Sequence, residues 1–436
     1  MHGLRVNFVE PEGLQILTQP MQQSKFGVFD TLTVLASLGL FYFDVISDIL
    51  VAYYMYNDKA TEHWFLTTVL VLVVPLIIVN GFSLYWYWFD SYVCELGGRC
   101  YRTPKASPCQ WFFRILGHLL LHASVLRYID IMYYGIKSNQ STSPAPEEDR
   151  VEEVDPKKST GPSNGVPTSP ATCSSGLHYQ KLWLHAERDT ATVDLLSSLI
   201  QDAPQLIVQL YVMSFTIPDQ ALEGYMSPTL IMQILSVMAS FMAMSWSVGS
   251  FAKAIRLAEP NMGNLSPAGL ISLTLTHYCC IAPQVMCFAL FSTKYLLYFI
   301  IVVGSHWLLA TLITFLTIMC CPNPVQLQAA FIHDIKEGPC RRLDDFFFSS
   351  ACGLVLLFTF PDIGGRKLQI SGILFHLLRL LEECSMIAFW YLKTTGDMWY
   401  HWLPLLLVSL FFLLSVAFSS LYFFCFHPDY RKHYNA

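Results

Sequence analysis

Ten long apolar stretches constrain this chain more than any other feature of its sequence. Most of them reach the roughly 20 residues that a helix needs to cross the hydrocarbon core of a bilayer. Only 13% of the residues are charged, whereas a soluble domain carries about 25%, and a soluble core could not bury so much apolar surface. The pattern therefore predicts an all-α, polytopic membrane helical bundle. The stretches cover residues 28–56, 64–89, 111–135, 190–217, 228–250, 267–292, 295–320, 346–360, 369–392 and 402–426.

Two of these stretches are unlike ordinary spanning helices. The stretch 111–135 contains several charged side chains, and 346–360 is short and stopped by Pro361. If all ten stretches crossed, Lys253 and Arg256 would lie outside the cell, against the positive-inside bias. If these two stretches dip in and return, most Lys and Arg residues become cytosolic. We therefore predict eight spanning helices, two re-entrant segments and cytosolic N- and C-termini.

The predicted order of segments occurs twice along the chain. It indicates two parallel membrane repeats, 28–250 and 266–426, related by an axis along the membrane normal. An N-tail, 1–27, lacks the apolar centre of a signal peptide, and a short C-tail, 427–436, closes the chain. The first repeat contains a loop, 138–180, rich in Ser, Pro and charge, which is typical of a flexible cytosolic segment. This loop is either a linker or a docking site for a cytosolic partner.

Three aspartates interrupt the first apolar stretch. At about 100° per residue, Asp30, Asp44 and Asp48 lie on one helix face. An Asp at the bilayer centre costs about 2.5–3.5 kcal/mol on the insertion scale, so this face should point into the bundle or into a wet groove. It is either a hydrophilic path or a polar cluster that only fixes helix packing.

Basic residues at membrane depth are the expected partners of these aspartates. The best candidates are Arg127 in the third stretch and Arg379 in the ninth. Arg379 also lies three and four residues before Glu382 and Glu383, so local neutralisation competes with a longer-range pair.

The fourth stretch adds further candidates. Glu187 and Asp189 come just before it, where acidic residues suit the positive end of a helix dipole, and Asp194 lies seven residues after Glu187 on the same face. An Ala-Pro-Gln triplet occurs in this stretch and again in the sixth, and each places a polar side chain beside a helix-breaking proline. These helix-break sites are Pro204, Gln205, Pro283 and Gln284.

The sequence contains no strong signal for a metal or a cofactor. His118 and His122 are four residues apart, but a third ligand is not evident nearby. No Gly-rich phosphate loop appears, and the net charge of −6 argues against nucleic-acid binding. We therefore expect no cofactor, no metal and no enzymatic activity.

Several motifs, in order, resemble those of the XK-related membrane proteins. They are FDVISDILVA at 43–52, Pro75 with Asn80-Gly-Phe-Ser83 and Trp86, HLLLHASVLRYIDIMYYG at 118–135, AERDTATVDLL at 186–196 with DAPQLIVQLY at 202–211, AMSWSVGS at 243–250 and FHP at 426–428. The acidic positions that match the family are Asp30, Asp44, Asp48, Asp189 and Glu383. The family pattern has other charged residues where this chain has Asp194, Ser197, Gln201 and Gln284.

The resemblance implies eight spanning and two partly inserted helices in two repeats. It also implies ATP-independent scrambling of phospholipids at the plasma membrane, with phosphatidylserine exposed on apoptotic cells and the buried charges as the headgroup route. A single-span auxiliary subunit is a further implied partner. Two alternatives stay open. The chain is a membrane adaptor that recruits a cytosolic lipid-transfer or regulatory protein through its loop 138–180, or it is an ion or solute transporter.

Overall fold

The computed structural model describes residues 25–89, 92–94, 100–102, 106–140, 175–258, 262–320, 341–360, 366–394 and 402–428. The N-tail before residue 25, the central part of the predicted loop, 141–174, and the C-tail after residue 428 lie outside the described residues. Within the described ranges the chain is helical, apart from turns and one small antiparallel hairpin in which Val93 pairs with Tyr101.

The helices follow the predicted apolar stretches. In chain order they are α1 (Val28–Asn57), α2 (Phe65–Phe89), α3 (Pro108–Leu119), α4 (Ala123–Gln140), α5 (Ser175–Ser197), α6 (Ala203–Glu223), α7 (Pro228–Ala258), α8 (Pro267–Cys320), α9 (Arg341–Phe358), α10 (Arg366–Lys393) and α11 (Leu403–Leu421). The hairpin consists of β1 (Tyr92–Cys94) and β2 (Cys100–Arg102). A 3-10 turn, Glu62–Trp64, precedes α2, and π-helical turns lie at Ser198–Asp202 and Tyr422–Phe426.

Five helices of the described part are long and apolar enough to cross a membrane. They are Val28–Asn57, Glu62–Trp88, Pro228–Ala258, Pro267–Met319 and Leu403–Phe426. The outer faces of such helices are apolar, as at Leu35 and Ile46 on α1, which are both more than half exposed. Lipid can cover such surfaces, so the chain is a membrane helical bundle. The number of spans and the two repeats stay predictions.

The helix is interrupted at two further places. Helix α8 is interrupted at Tyr295, where φ is −137° and ψ is 51°, so it consists of two helices that match the stretches 267–292 and 295–320. The third stretch is divided into α3 and α4 by a turn in which Leu121 has a φ of 62°, in the left-handed region. A helix, a tight turn and a second helix fit a segment that enters and returns, but re-entry itself stays a prediction.

Two helices are longer than the hydropathy pattern indicates. Helix α5 begins at Ser175, so Glu187 and Asp189 lie well inside the helix, and the interpretation of these acids as a helix start is wrong. Helix α7 continues to Ala258, so Lys253 and Arg256 are helical and buried rather than part of a loop. The predicted loop 138–180 is likewise helical at both ends, because α4 continues to Gln140 and α5 covers its last six residues.

The helices of both predicted repeats share one apolar core. Leu206 and Val248 of the first repeat belong to the same buried cluster as Phe288 and Trp390 of the second. Helix α1 packs mainly on α7, α4 packs on α5, and α9 and α11 pack on α8. This arrangement places α1 at the edge of the bundle, with one face against α7 and another face exposed.

Candidate functional site

Helices α1 and α7 meet along a line of four polar contacts, which we call the polar seam. The seam consists of Lys253–Asp30 (3.0 Å), Trp246–Ser37 (2.7 Å), Ser240–Asp44 (2.5 Å) and Ser236–Asp48 (2.5 Å), with the donor named first. The residue numbers rise along α1 as they fall along α7, so the two helices run antiparallel. At 1.5 Å per residue, the seam from Asp30 to Asp48 is about 27 Å long. The hydrocarbon core of a bilayer is about 30 Å thick.

The spacing of side chains on the two helices explains the seam. Asp44 and Asp48 are one helical turn apart on α1, and Ser236 and Ser240 are one turn apart on α7. Serine is small enough to let two membrane helices approach closely, and its hydroxyl can donate across the interface. The three aspartates are between 0% and 9% exposed. The prediction that they share a face that points into the bundle is confirmed.

The Asp30 end of the seam is a buried ion-pair cluster. Lys253 Nζ lies 3.0 Å from Asp30 Oδ1 and 2.5 Å from Glu187 Oε1, and it also donates to Thr33 Oγ1 at 3.3 Å. The cluster links α1, α5 and α7. The prediction that Arg127 or Arg379 would pair with these aspartates is wrong for Asp30, because its partner is a lysine that hydropathy assigns to a loop.

The other end of the seam is acidic and carries no base. Among the described residues, none of the ion pairs includes Asp44 or Asp48. Asp48 Oδ1 accepts hydrogen bonds from Ser236 and, at 3.0 Å, from Gln209 Nε2. The carboxyl group of Asp202, which is 5% exposed, approaches that of Asp44. Three carboxyl groups are therefore close together in a region where they cannot reach bulk water.

A π-helical turn brings Asp202 and Gln205 to this region. The Ala203 N–H donates to the carbonyl of Ser198, five residues earlier, and Pro204 has no N–H to donate. The turn is followed by Gln205, which is completely buried beside Asp48 and whose Oε1 has no hydrogen-bond partner. The prediction of a disturbed helix and a polar side chain at Pro204 is confirmed.

Arg127 and Asp194 belong to a different polar group, between α2, α4 and α5. Arg127 donates to Ser83 Oγ at 2.8 Å, and its guanidinium lies 4.6 Å from the centre of the Tyr87 ring. Asp194 accepts hydrogen bonds from Ser124, at 2.9 Å, and from Tyr128. Neither residue is part of the seam. Asp189 is 3.5 Å from the guanidinium of the adjacent Arg188.

The candidates of the second repeat form their own cluster. Arg379 donates to the carbonyls of Leu357 and Phe358 at the end of α9, and it lies 4.0 Å from Glu383. The predicted local neutralisation of Arg379 is therefore confirmed. The amide of Gln284, oriented to satisfy both neighbours, donates to Glu383 at 3.2 Å and accepts from Arg379 at 3.3 Å.

Glu382 and Pro283 lie beside this cluster. Glu382 lies 3.2 Å from His306 Nδ1. Helix α8 continues through Pro283, so the prediction of a helix break at this proline is wrong. Pro283 lines a cavity of about 20 Å³ together with Arg379 and Glu383. Such a cavity holds about one water molecule.

A metal site built from His, Cys, Asp or Glu side chains is not supported in the part of the chain that the structure describes. There, no three His, Cys, Asp or Glu side chains are grouped so that they could hold a metal ion. The α3–α4 turn separates His118 from His122, and His118 Nε2 instead lies 3.0 Å from Ser83 Oγ.

The structure thus brings only some of the predicted residues together. Asp30, Asp44, Asp48, Glu187 and Gln205 lie at the seam or beside it. The residues that the sequence interpretation missed are Lys253, Asp202, Gln209, Ser236 and Ser240. One signal was available for the serines, because their spacing of four residues equals that of Asp44 and Asp48.

Comparison with known proteins agrees with this architecture. Residues 32–428 match the family model described as XK-related protein. The chain is similar to XK-related protein 8 of Tetraodon nigroviridis, with 22% identity over 91% of this chain and 83% of the relative. It is also similar to XK-related protein 8 of Gasterosteus aculeatus, with 20% identity over 93% of this chain and 85% of the relative. Because the family match covers nearly the whole chain, the protein belongs to the XK-related family.

Proposed function

We propose that this protein moves phospholipids between the leaflets of the plasma membrane without ATP and thereby exposes phosphatidylserine. The observation that carries the proposal is the polar seam. Its length is close to the thickness of the hydrocarbon core, and hydroxyl, indole and carboxylate groups follow one another along it. A polar headgroup needs such partners to cross, because unpaired polar groups in hydrocarbon cost several kcal/mol each.

The position of α1 suggests how a headgroup reaches the seam. One face of α1 is exposed and apolar, and the opposite face contributes Asp30, Asp44 and Asp48 to the seam. If α1 moves away from α7, the seam becomes a polar groove that is open to the side. The headgroup then exchanges hydrogen bonds with the serines and aspartates while its acyl chains stay in lipid. No bond is made or broken, so the proposed activity is not enzymatic.

The direction of the helices supports the proposed topology of eight spans and two re-entrant segments. If all ten stretches crossed, the first and fifth would run in the same direction. If the third stretch dips in and returns, they run in opposite directions. Helices α1 and α7, which correspond to the first and fifth stretches, are antiparallel, as the order of contacts in the seam requires. Cytosolic termini and two parallel repeats belong to the same proposal.

Membership of the XK-related family is consistent with the proposed lipid movement but identifies no specific activity. The chain aligns with its relatives over most of their length, although the identity is only 20–22%. The three carboxyl groups at the acidic end of the seam, those of Asp44, Asp48 and Asp202, lie inside the matched range 32–428. An activity that depends on these residues must therefore be measured directly on this chain.

A reconstitution experiment tests the proposal. The purified full chain is placed in liposomes that contain a fluorescent lipid, and dithionite is added outside to quench the outer leaflet. We expect quenching beyond the outer-leaflet fraction, either directly or after limited proteolysis of the tails and the loop. If a folded protein gives only the quenching of protein-free liposomes in both states, lipid scrambling by this chain is refuted and the adaptor hypothesis is favoured.

A further inference from the structure

We infer that the acidic end of the polar seam binds a small monovalent inorganic cation, held by oxygens of Asp48, Gln205 and Gln209 beside Asp44 and Asp202. This inference concerns a binding site and does not depend on lipid movement. The first observation is the negative charge that the carboxyl groups of Asp44, Asp48 and Asp202 bring to this region. The three carboxyl groups are at most 5% exposed, and none of the ion pairs in the described ranges supplies them with a base.

The second observation is a set of buried oxygens without hydrogen-bond partners. Gln209 Oε1 and Gln205 Oε1 are both buried acceptors that receive no hydrogen bond. Gln205 is 0% exposed and lies beside Asp48, and Gln209 is already hydrogen-bonded to the same carboxylate. Leaving a buried polar atom unsatisfied costs about 1–3 kcal/mol. Two such acceptors beside one carboxylate need a donor or a cation.

The third observation is the helix break next to these oxygens. In an α-helix the carbonyl of Leu199 would accept from the N–H of Ala203, but that N–H is bonded to Ser198. In a π-helix it would accept from residue 204, which is a proline without an N–H. The break therefore leaves the Leu199 carbonyl without its usual helical donor. Interrupted membrane helices commonly coordinate Na⁺ through such oxygens.

The donor set decides the class of ion. Carboxylate, amide and main-chain oxygens are ligands for hard cations. No group of three His, Cys, Asp or Glu side chains in the described residues is arranged for a metal ion, so the inferred ligands are the Asp48 carboxylate and amide oxygens, and the single charge of that carboxylate matches a monovalent ion. These oxygens are buried between α1, α6 and α7, so the inference is restricted to a small ion without its hydration shell.

The first experiment measures the thermal unfolding midpoint of the purified full chain in detergent. N-methylglucamine chloride is replaced stepwise by LiCl, NaCl or KCl at constant ionic strength. A ligand that binds only the folded state raises stability with its concentration. We expect a saturable rise in the midpoint with at least one of the three cations. Midpoints that are the same in all four salts would overturn the inference.

Variants then place the effect at the seam. Gln205→Leu replaces a buried amide with an apolar side chain of similar size, so the variant should fold, and it should lose the dependence on the cation. Asp48→Asn should lose it as well. The control Asp130→Asn changes a part-exposed acid of α4 that pairs with Arg114, and it should keep the dependence. If a folded Gln205→Leu variant keeps the full cation effect, the inference is wrong.

Two other ligands are distinguished in the same assay. Methylammonium chloride carries the ammonium chemistry of a lipid headgroup, and a pH series reports proton binding. A rise in midpoint with methylammonium but with none of the inorganic cations would replace the inference with an ammonium site. A dependence on pH alone, with no difference between salts, would replace it with a protonation site.

Discussion

The hydroxyl group of Ser240 donates to the carboxylate of Asp44 at 2.5 Å across the α1–α7 interface. Ser240 is 0% and Asp44 3% exposed, and neither residue takes part in an ion pair of the described chain. A buried carboxylate is thus held by neutral donors instead of a base. A hydroxyl donor carries no formal charge, so this part of the seam lacks the ion-pair attraction that holds the Lys253 cluster and can be exchanged for water or a polar ligand more easily.

The seam serines should stabilise the folded bundle. Replacing Ser240 with Ala removes the donor to a buried carboxylate, and we expect a loss of about 1–3 kcal/mol in the free energy of unfolding. The measurement is reversible unfolding of the purified protein in mixed micelles. Ser305→Ala is the control, because Ser305 is exposed and donates only to its own helix. In the Asp44→Asn variant, Ser240→Ala should lower the free energy of unfolding by less, because the carboxylate is gone. If Ser240→Ala and Ser305→Ala lower it equally in the wild-type chain, the seam serines do not stabilise the bundle.

The Lys253 cluster should be the strongest single link between α1, α5 and α7. Lys253→Met leaves Asp30 and Glu187 buried without their base, and breaking a buried ion pair in this way costs about 3–5 kcal/mol. We expect a large fall in the amount of folded protein, measured by size-exclusion chromatography after solubilisation. The exposed Lys59 supplies the control, Lys59→Met. Adding Glu187→Gln to Lys253→Met removes one of the two unpaired carboxylates and should restore part of the folded fraction. If the double variant shows no recovery, charge neutralisation by Lys253 is not what stabilises the three helices.

A pair of glycines tests the packing of α9 on α8. A Cβ at Gly353 would lie 2.4 Å from Thr311 Oγ1 and 3.1 Å from the carbonyl of Trp307, whereas a Cβ at Gly304 meets nothing within 4 Å. Gly353→Ala should destabilise the protein by about 1–3 kcal/mol through overpacking. Gly304→Ala should be neutral or stabilising by up to about 1 kcal/mol, because alanine favours helix. Unfolding midpoints of the two variants, measured side by side, should therefore move apart; a Gly353→Ala midpoint as high as that of Gly304→Ala would be inconsistent with this packing.

Hydropathy and periodicity were sufficient to predict the helices and the shared face of the three aspartates. Both depend on local sequence, because a helix repeats its faces every 3.6 residues. The partner of Asp30 could not be predicted in this way. Lys253 is 223 residues from Asp30 and 66 residues from Glu187. Hydropathy assigns an isolated lysine to a loop, and only the packing of three helices shows that two carboxylates neutralise it.

The arrangement at the acidic end of the seam could not be predicted from local sequence either. Asp202 lies directly before an Ala-Pro-Gln triplet, and the sequence predicted the disturbed helix but not the direction of its side chains. That direction depends on the π-helical turn, which adds a residue to the hydrogen-bonding register. The break at Leu121 was also missed, because the apolar run through residues 119–121 contains neither glycine nor proline to mark a turn.

The rate of lipid exchange in liposomes that contain Asp48→Ala tests the central claim most directly. Wild type, Asp48→Ala and the control Asp130→Asn are reconstituted at equal protein per vesicle, and the unfolding midpoint of each confirms that it is folded. The account predicts that Asp48→Ala falls to the rate of protein-free liposomes, while Asp130→Asn stays at the rate of wild type. A folded Asp48→Ala variant that exchanges lipid as fast as wild type would show that the polar seam is not the route of the headgroup.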